Sequence, residues 1–358
     1  MERLQSESIR PNFNEMIGLT REVIGLPEAM PIEMIPLEGR GSERDFFRLK
    51  WDRNQSAILI RYHRKRLENT YYAEIALFLH QIAIPVPRLI HHHPDLCLIL
   101  MEDLGDKLLY DFRKENWETR KALYQKVLST IHRLHVFPLK DFPEGKVRMV
   151  EGFSTDLYRW ERDYFRNYFV RECCGINLEP LFEKELEIEL SNLANRLLGS
   201  MVTLIHRDLQ SQNVMIRNGE VFLIDFQGMR VGNPFYDLGS LLCDPYVNLK
   251  EKEREDLLSF YYGLSKWSIL WEDFLKYFWE ASAQRLMQAL GAYGFLGLKK
   301  GLKNYLEHIP RGLHLLHLAT NQINTLPKLQ ELALRCQETK DRFDQIKGLI
   351  GSEKGRKT

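Results

Sequence analysis

Hydrophobic and polar positions follow one period in the first part of the chain and another in the rest. Between residues 33 and 101, short runs either alternate apolar with polar side chains or are continuously apolar, which is typical of β-strands. The pattern predicts strands at residues 33–37, 45–49, 56–60, 88–91 and 96–101. It also predicts a helix at 14–24 and another at 70–82, which Pro85 and Pro87 end.

After residue 101 the apolar positions recur with the helical period. Helices are predicted at 117–135, 155–173, 183–198 and over most of 251–348, with two short apolar runs around a polar loop between 204 and 225. This change of pattern predicts an α+β, bilobal protein. Its parts are a small β-rich N-terminal lobe (1–101), a hinge (102–105), a larger helical C-terminal lobe (106–350) and a frayed tail (351–358).

Charge and composition narrow the classes of partner. The 358 residues contain 50 Lys and Arg against 49 Asp and Glu, so no global field would attract nucleic acid or an anionic membrane. The five cysteines are scattered without a CxxC pair, which predicts reduced thiols. The first residues lack the apolar core of a signal peptide, and the longest apolar run, 96–101, is too short to span a bilayer. We therefore expect a cytoplasmic protein that binds neither nucleic acid nor membrane.

The most informative polar loop begins at His206 and reads His-Arg-Asp-Leu-Gln-Ser-Gln-Asn, and a second motif, Asp-Phe-Gln, begins 17 residues after Asp208. Phosphoryl transfer to a hydroxyl needs an acceptor for the proton and oxygen ligands for Mg²⁺. Asp208 is the candidate catalytic base, Asn213 and Asp225 are the candidate metal ligands, and His206 is predicted to brace the loop. Alone, the first motif could be a charged turn, but two such motifs in this order, each after an apolar strand, favour a kinase.

The segment 204–244 resembles the aminoglycoside phosphotransferase and choline kinase superfamily, and within it the bacterial anomeric kinases of N-acetylmuramate and N-acetylglucosamine. The shared features are the Asp-Phe-Gln form, Gly232, Tyr236-Asp237-Leu238 and the run 240–244. The resemblance implies a protein-kinase-like fold with ATP between the lobes and Mg²⁺ on its phosphates. In families of this type the aspartate corresponding to Asp237 supports the catalytic loop through backbone hydrogen bonds; a third metal ligand is the alternative.

The resemblance also points to nucleotide-binding residues in the N-terminal lobe. Gly39, Gly41 and Ser42 lie in a turn where backbone N–H groups could approach phosphate closely, although an ordinary hairpin turn uses the same residues. The following Ser-x-Arg-x-Phe-Phe-Arg run is similar to that of the sugar kinases and favours the phosphate loop. The segment from Met101 to Leu104 resembles the hinge whose backbone binds adenine.

The end of the third predicted strand departs from the usual kinase pattern. Kinases place a lysine there to hold the α- and β-phosphates, paired with a glutamate of the next helix. Here the residue is Arg61, and Glu74 is its expected partner. Because the planar guanidinium positions charge differently from an ammonium, Arg61 either holds the phosphates or the family dispenses with this contact.

The acceptor site is expected in the helical lobe. Gln284 and Arg285 lie in an otherwise aromatic helix and resemble the Gln-Arg segment of the anomeric sugar kinases, although a structural role for such an arginine is equally consistent with the pattern. The resemblance implies transfer of the ATP γ-phosphoryl group to the anomeric hydroxyl of an amino sugar, in cell-wall recycling or nucleotide-sugar supply. The alternatives are a kinase of another small alcohol (aminoglycoside, choline or homoserine) and a catalytically silent pseudokinase, which only Arg61 suggests.

Overall fold

The computed structural model describes residues 11–37, 44–265 and 268–339. The predicted glycine turn with Gly39, Gly41 and Ser42 and the predicted tail lie outside these residues. Two helices and five strands form the N-terminal part: α1 (Phe13–Ile24), β1 (Glu33–Leu37), β2 (Asp45–Asp52), β3 (Gln55–Arg61), α2 (Tyr72–Gln81), β4 (Leu89–His93) and β5 (Leu98–Glu102). The strands make one antiparallel sheet in the order β1–β2–β3–β5–β4, so all five predicted strands are confirmed.

The two faces of this sheet bury different side chains, because successive residues of a strand point to opposite sides. On the outer face, Leu49 and Leu59 pack with Met16 of α1 in a small apolar cluster. On the inner face, Ile58 and Ile60 join the main core, which includes α2 and the helical part of the molecule. The face on which a polar residue of β2 or β3 lies therefore decides whether it can reach the helical part.

The rest of the chain is mainly helical, with two small strand pairs that carry the polar loops. Its elements are α3 (Trp117–His135), α4 (Thr155–Tyr164), α5 (Pro180–Gly199), β6 (Thr203–Ile205), β7 (Val214–Arg217), β8 (Glu220–Leu223), β9 (Arg230–Gly232), α6 (Pro234–Leu242), α7 (Glu251–Leu264), α8 (Trp271–Gly294), α9 (Ile309–Asn321) and α10 (Pro327–Glu338). β6 pairs with β9, and β7 pairs with β8. The predicted helix 155–173 continues beyond α4 as a π-helical segment, Phe165–Cys173.

Helix α8 is the centre of the helical part and is buried over most of its length. It packs against α6, α9 and the π-helical segment. A Cβ atom on Gly239 of α6 would lie 2.9 Å from Cα of Ser282, so glycine at this position lets α6 and α8 approach closely. This contact brings polar residues of both helices next to the loop that follows β6. No helix among the described residues has the length and apolar character needed to cross a membrane.

Candidate active site

The loop between β6 and β7 and the loop after β8 lie side by side. The backbone N–H of Ile224 donates to the carbonyl of Asn213 at 3.0 Å, which extends the β7–β8 pairing by one step. The side chain of Asn213 turns back, and its Nδ2 donates to the carbonyl of Asp208 at 2.9 Å. The structure therefore brings Asp208, Asn213 and Asp225 together at one end of the β7–β8 pair, as the motif spacing predicts.

Asp237, at the start of α6, supports the backbone of the loop that follows β6. Its fully buried carboxylate accepts hydrogen bonds from the backbone N–H groups of His206 and Arg207, each at 2.7 Å. The ring of His135 lies 3.1 Å away from the same carboxylate. His206 contacts the neighbouring loop through its Nε2, which lies 3.0 Å from the carbonyl of Ile224. Both carboxylate oxygens of Asp237 thus have hydrogen-bond partners, which favours the bracing role predicted for Asp237 over that of a metal ligand, and His206 links the two loops.

A second buried aspartate, Asp244, supports the same loop and was not among the predicted site residues. Its carboxylate accepts from the backbone N–H groups of Ser211 and Tyr246 at 2.8 and 2.9 Å. Burial raises the pKa of Asp244 above its ordinary value although these hydrogen bonds oppose the rise. The sequence signal was present in the run 240–244, which ends at this residue.

Asp225 follows β8 in a left-handed backbone conformation, with φ of 63°. Its Oδ1 accepts from Gln227 Nε2 at 2.9 Å and forms an ion pair with the guanidinium of Arg44. Burial raises the pKa of Asp225, but Arg44 and Gln227 outweigh this effect and hold the pKa below its ordinary value. The carboxylate is therefore kept ionised, as a metal ligand must be.

The donor set of Asn213 and Asp225 fits Mg²⁺. Within the described residues, Oδ1 of Asn213 and Oδ2 of Asp225 have no hydrogen-bond partner. Both are hard oxygen donors, and Mg²⁺ is usually held by one or two such protein ligands while waters and substrate phosphates complete its octahedron. The described part of the chain contains no group of three or more His, Cys, Asp or Glu residues that could hold a metal ion independently of a substrate.

The structure corrects the prediction that Arg61 pairs with Glu74 and reaches the phosphates. Arg61 lies opposite Asp45 in the β2–β3 pairing and bonds to it, with Nη2 2.9 Å from Oδ2. Its guanidinium lies 5.8 Å from the ring centroid of Phe47, which belongs to the outer face of the sheet. Glu74 instead binds Arg148 of the helical part through the backbone N–H and the guanidinium. Strand alternation places Arg61 on the wrong side of the sheet for a phosphate contact.

Two other arginines, Arg44 and Arg48, lie on the inner face of the sheet. They were not among the predicted site residues, because a cation was expected only at the end of the third strand, where kinases place a lysine. Arg48 of β2 lies opposite Ile58, and its Nε is 2.7 Å from Oδ2 of Asp103. Arg44, the residue before β2, is in phase with Arg48 and reaches Asp225. The available signal was the two-residue period of the strand, which puts Arg44 and Arg48 on the same face.

The predicted adenine hinge lies at the end of β5. Met101 and Leu104 are both buried, and the hydroxyl of Tyr72 in α2 donates to the Met101 sulfur at 3.1 Å. Asp103 fixes the bend, because its carboxylate accepts from the backbone N–H of Gly105 at 2.9 Å as well as from Arg48. The segment thus has a defined backbone course at the junction of the sheet and the helical part.

Arg285 of α8 is directed at the catalytic loop. Its Nη2 lies 2.7 Å from Oδ1 of Asp208, its Nη1 donates to Gln288 at 2.6 Å, and its Nε donates to Ser240 at 3.2 Å. The side chain is 9% exposed, whereas that of Asp208 is 28% exposed. Burial lowers the pKa of Arg285, but Asp208 together with Tyr236, Tyr293 and Glu161 outweighs this effect, so the pKa lies above its ordinary value and the guanidinium stays charged. Arg285, predicted as a substrate residue, thus has its donors engaged by the loop and by neighbours on α6 and α8.

Gln284 does not fit the prediction that it contacts substrate. It is fully buried, and its Nε2 donates to Oε2 of Glu161 at 3.0 Å. The hydroxyl of Tyr236 donates to the other oxygen of Glu161 at 2.9 Å. Gln284 belongs to an internal hydrogen-bond network between α4, α6 and α8. At this turn of α8 it is Arg285, the next residue, that faces the loop with Asp208.

Solved structures with the same fold include several small-molecule kinases. The choline kinase LicA from Streptococcus pneumoniae matches 84% of this chain and 98% of its own at a TM-score of 0.56 and 14% identity. An ADP-bound aminoglycoside phosphotransferase, APH(2'')-Ib, matches 85% of this chain and 99% of its own at a TM-score of 0.54 and 15% identity. The predicted α+β, bilobal, protein-kinase-like fold is confirmed.

Sequence relatives point in the same direction. An N-acetylmuramate/N-acetylglucosamine kinase of Neisseria meningitidis is 26% identical over 256 residues, 70% of this chain and 75% of the relative. A kinase of the same name from Pseudomonas aeruginosa is 23% identical over 314 residues, 86% of this chain and 90% of the relative. The family model described as the phosphotransferase enzyme family matches residues 33–272. The chain belongs to the phosphotransferase enzyme family, and it is a kinase acting on a sugar or other alcohol.

Proposed function

We propose that the protein transfers the γ-phosphoryl group of ATP, with Mg²⁺, to the anomeric hydroxyl of an amino sugar such as N-acetylmuramate or N-acetylglucosamine. The observation that carries the proposal is the partly exposed carboxylate of Asp208, one oxygen of which is bound by Arg285. The oxygens of Asn213 and Asp225 that have no hydrogen-bond partner in the described part of the chain lie in the same loop region. A base and metal ligands at one point are what phosphoryl transfer to a hydroxyl requires.

In this mechanism Asp208 orients the acceptor hydroxyl and takes its proton. The bond from the sugar oxygen to the γ-phosphorus forms while the bond from that phosphorus to the β,γ-bridging oxygen breaks, and ADP leaves with the electron pair. Asn213 and Asp225 would hold Mg²⁺, which when bound supplies positive charge to the phosphates. Asp237 and His206 keep the loop in place while this happens.

On the nucleotide side, Arg44 is the residue of the inner face best placed to contact phosphates. It lies against Asp225, where the metal and the phosphates would meet, and its guanidinium can bind phosphate oxygens with two parallel hydrogen bonds. The segment with Gly39, Gly41 and Ser42 directly precedes it in the chain, and the backbone of Met101 to Leu104 would bind adenine. Arg61 has no part in this arrangement.

The acceptor is proposed from the names of the sequence relatives and from the charge around Asp208. Choline and aminoglycoside kinases share the fold but act on cations, for which a site with spare carboxylates is expected. Two arginines act directly on Asp208, Arg207 and Arg285, and a third, Arg230, lies close to Arg207. A surplus of positive charge favours a neutral or acidic sugar over a cationic acceptor.

The test is a coupled ADP-release assay with ATP, Mg²⁺ and a panel of sugars, amines and small alcohols, with phosphorus NMR of the product. Stimulation by N-acetylmuramate or N-acetylglucosamine, with phosphate on the anomeric carbon, is the expected result. Phosphate on the 6-hydroxyl, or a response to choline, homoserine or aminoglycosides alone, would move the assignment to another small-alcohol kinase. Nucleotide binding with no turnover on any member of the panel would favour a pseudokinase.

A further inference from the structure

Two arginines that the mechanism does not use meet beside the catalytic loop. Arg230 lies opposite Ile205 in the β6–β9 pair, and its Nε donates to the carbonyl of Gly228 at 3.1 Å. Arg207, two residues after Ile205, approaches the same glycine: its Cδ lies 3.9 Å from the point where a Cβ of Gly228 would be. Both side chains therefore adjoin Gly228, and Arg207 directly precedes Asp208 in the loop.

Neither guanidinium is neutralised by a carboxylate in the part of the chain that the structure describes. The hydrogen bond of Arg207 is made by its backbone N–H to Asp237, and that of Arg230 goes to a carbonyl. Arg207 also lies in the field of Asp208, whose Oδ1 is paired with Arg285. The acidic group that acts on both arginines is Glu161, which is fully buried and already accepts two hydrogen bonds. Burial raises the pKa of Glu161, which weakens it as a counter-charge.

Arg230 is the more confined of the two. It is 8% exposed, and burial together with the charge of Arg207 lowers its pKa to about 10. Removing two like charges from water without a counter-ion is costly, and proteins retain such an arrangement where a ligand supplies the opposite charge. The two guanidinium groups thus form a site that a bound anion would complete.

The backbone at Arg207 adds an independent observation. Its φ is 77°, in the left-handed region, where a glycine is free of strain and any other residue costs about 1 kcal/mol. Within the described residues its guanidinium makes no hydrogen bond that would repay this strain in the folded chain. An arginine at such a position is explained if its guanidinium binds an anionic group of a ligand.

We propose that Arg207 and Arg230 form an anion subsite for the acceptor, which binds a carboxylate or phosphate substituent of the sugar whose hydroxyl faces Asp208. The inference rests on the proposed function. Two guanidinium forks suit either oxyanion. We place the subsite on the acceptor side because Arg230 lies within the helical part, where the acceptor site is expected, with its guanidinium 5.6 Å from the ring of Phe153, whereas Arg44 comes from the sheet and meets Asp225.

The test compares sugars that differ in one acidic group. N-acetylmuramate is N-acetylglucosamine with a lactyl ether that carries a carboxylate, and N-acetylglucosamine 6-phosphate carries a phosphate instead. Each is assayed for kcat/KM, and its binding is measured by calorimetry with ADP and Mg²⁺ present. The wild-type protein should bind and phosphorylate one of the acidic sugars better than the neutral one, and which of the two it prefers identifies the anion.

Arg230→Gln and Arg207→Gly are the informative variants, and the second also relieves the backbone strain. Each should lower the ratio of acidic to neutral kcat/KM roughly tenfold or more, with ADP affinity unchanged and with a matching loss in acidic-sugar binding. Arg230→Lys should restore part of the ratio. Arg335→Gln, on the distant helix α10, is the control and should leave the ratio at the wild-type value.

The two proposals fail in different ways. An equal loss with acidic and neutral sugars, or an unchanged ratio in both variants, would overturn the subsite while the kinase assignment stands. Acidic sugars that bind through Arg207 and Arg230 but are never phosphorylated would overturn the proposed function and keep the subsite. A wild-type protein that binds neither acidic sugar better than the neutral one would also overturn the subsite.

Discussion

The two oxygens of the Asp208 carboxylate have different surroundings. Oδ1 is held by Arg285 at 2.7 Å, whereas Oδ2 has longer contacts, 3.4 Å to Asn213 and 3.5 Å to Gln210. An oxygen with weak partners on a partly exposed carboxylate can turn to an incoming hydroxyl without breaking strong bonds. Oδ1 thus holds the carboxylate in position, and Oδ2 is the oxygen that can accept a proton from the substrate hydroxyl.

Asp208→Asn should lower kcat at least about 100-fold, because the amide keeps the size of the side chain but cannot accept the proton. The affinity for ATP with Mg²⁺ should stay within about twofold of the wild type, since the metal ligands are untouched. Steady-state kinetics and calorimetry check the two parts. Asp95→Asn, an exposed surface variant, serves as the control, and more than a third of wild-type kcat in Asp208→Asn would sink the assignment of the base.

Arg285→Ala should lower kcat roughly ten- to a hundredfold, because Asp208 Oδ1 loses a charge-assisted hydrogen bond. Arg285→Lys should recover part of the loss. The matched control is Arg196→Ala, which breaks another ion pair to α8, with Glu280 at 2.9 Å. If the loss of kcat merely followed a loss of stability, both alanine variants would show it, and a urea unfolding curve of each separates the two cases.

The motif spacing is enough to predict that Asp208, Asn213 and Asp225 lie together. The loop that enters β7 and the loop that leaves β8 must lie at the same end of this antiparallel strand pair. It cannot predict what a side chain of a buried helix does. Gln284 and Arg285 are neighbours in the sequence, yet the turn of α8 directs one into the core and the other to the loop. The crossing of α6 and α8 decides this difference, and that crossing is a tertiary feature.

At the scale of the elements, the register of β2 and β3 decides which cations face the nucleotide. Asp45 pairs with Arg61 and Arg48 pairs with Ile58, so Arg48 lies on the inner face and Arg61 on the outer face. A motif comparison counts positions along one strand and does not see the face. The sequence therefore predicts the strands correctly, but it assigns to Arg61 the phosphate contact that we propose for Arg44.

Arg44→Gln should weaken the binding of ATP with Mg²⁺ roughly tenfold, because a guanidinium contact to phosphate is lost. Arg61→Gln should leave this affinity within about twofold of the wild type, because its side chain lies on the outer face. Calorimetry with a non-hydrolysable ATP analogue compares the two variants. Tighter binding in Arg44→Gln would show that Arg44 competes with the metal for Asp225 and does not assist the phosphates.

Across the whole molecule, the sheet and the helical part are joined by contacts on both sides of the site. Arg44 reaches Asp225 on one side, and the ring of Tyr72 in α2 lies 4.6 Å from that of Phe226 in the middle. Glu74 of α2 binds Arg148 on the other side, with 2.8 Å from the backbone N–H to Oε2. The charged contact of α2 therefore goes to the helical part, whereas its contact with β3 is apolar packing in the main core.

The Glu74–Arg148 pair gives this tie a measurable pH dependence. Burial raises the pKa of Glu74, but Arg148 outweighs it and holds the pKa below the ordinary value of 4.5. A carboxylate with a lowered pKa in the folded state adds stability above its unfolded pKa, and this stability is lost as the pH falls through the folded pKa. Arg148 is 58% exposed, so the contribution should be small, about 0.5–1 kcal/mol.

Urea unfolding of Glu74→Gln, Arg148→Gln and the double variant measures the coupling as a double-mutant cycle. At pH 7 the coupling should be close to the value above, and it should shrink towards pH 3.5 and in 1 M salt, because protonation and screening each remove the ion pair. Glu187→Gln, which breaks the Arg162–Glu187 pair inside the helical part, is the matched control. A coupling that is unchanged between pH 7 and pH 3.5 would mean that Glu74 holds α2 by packing and neutral hydrogen bonds, so its charge would not be what ties the sheet to the helical part.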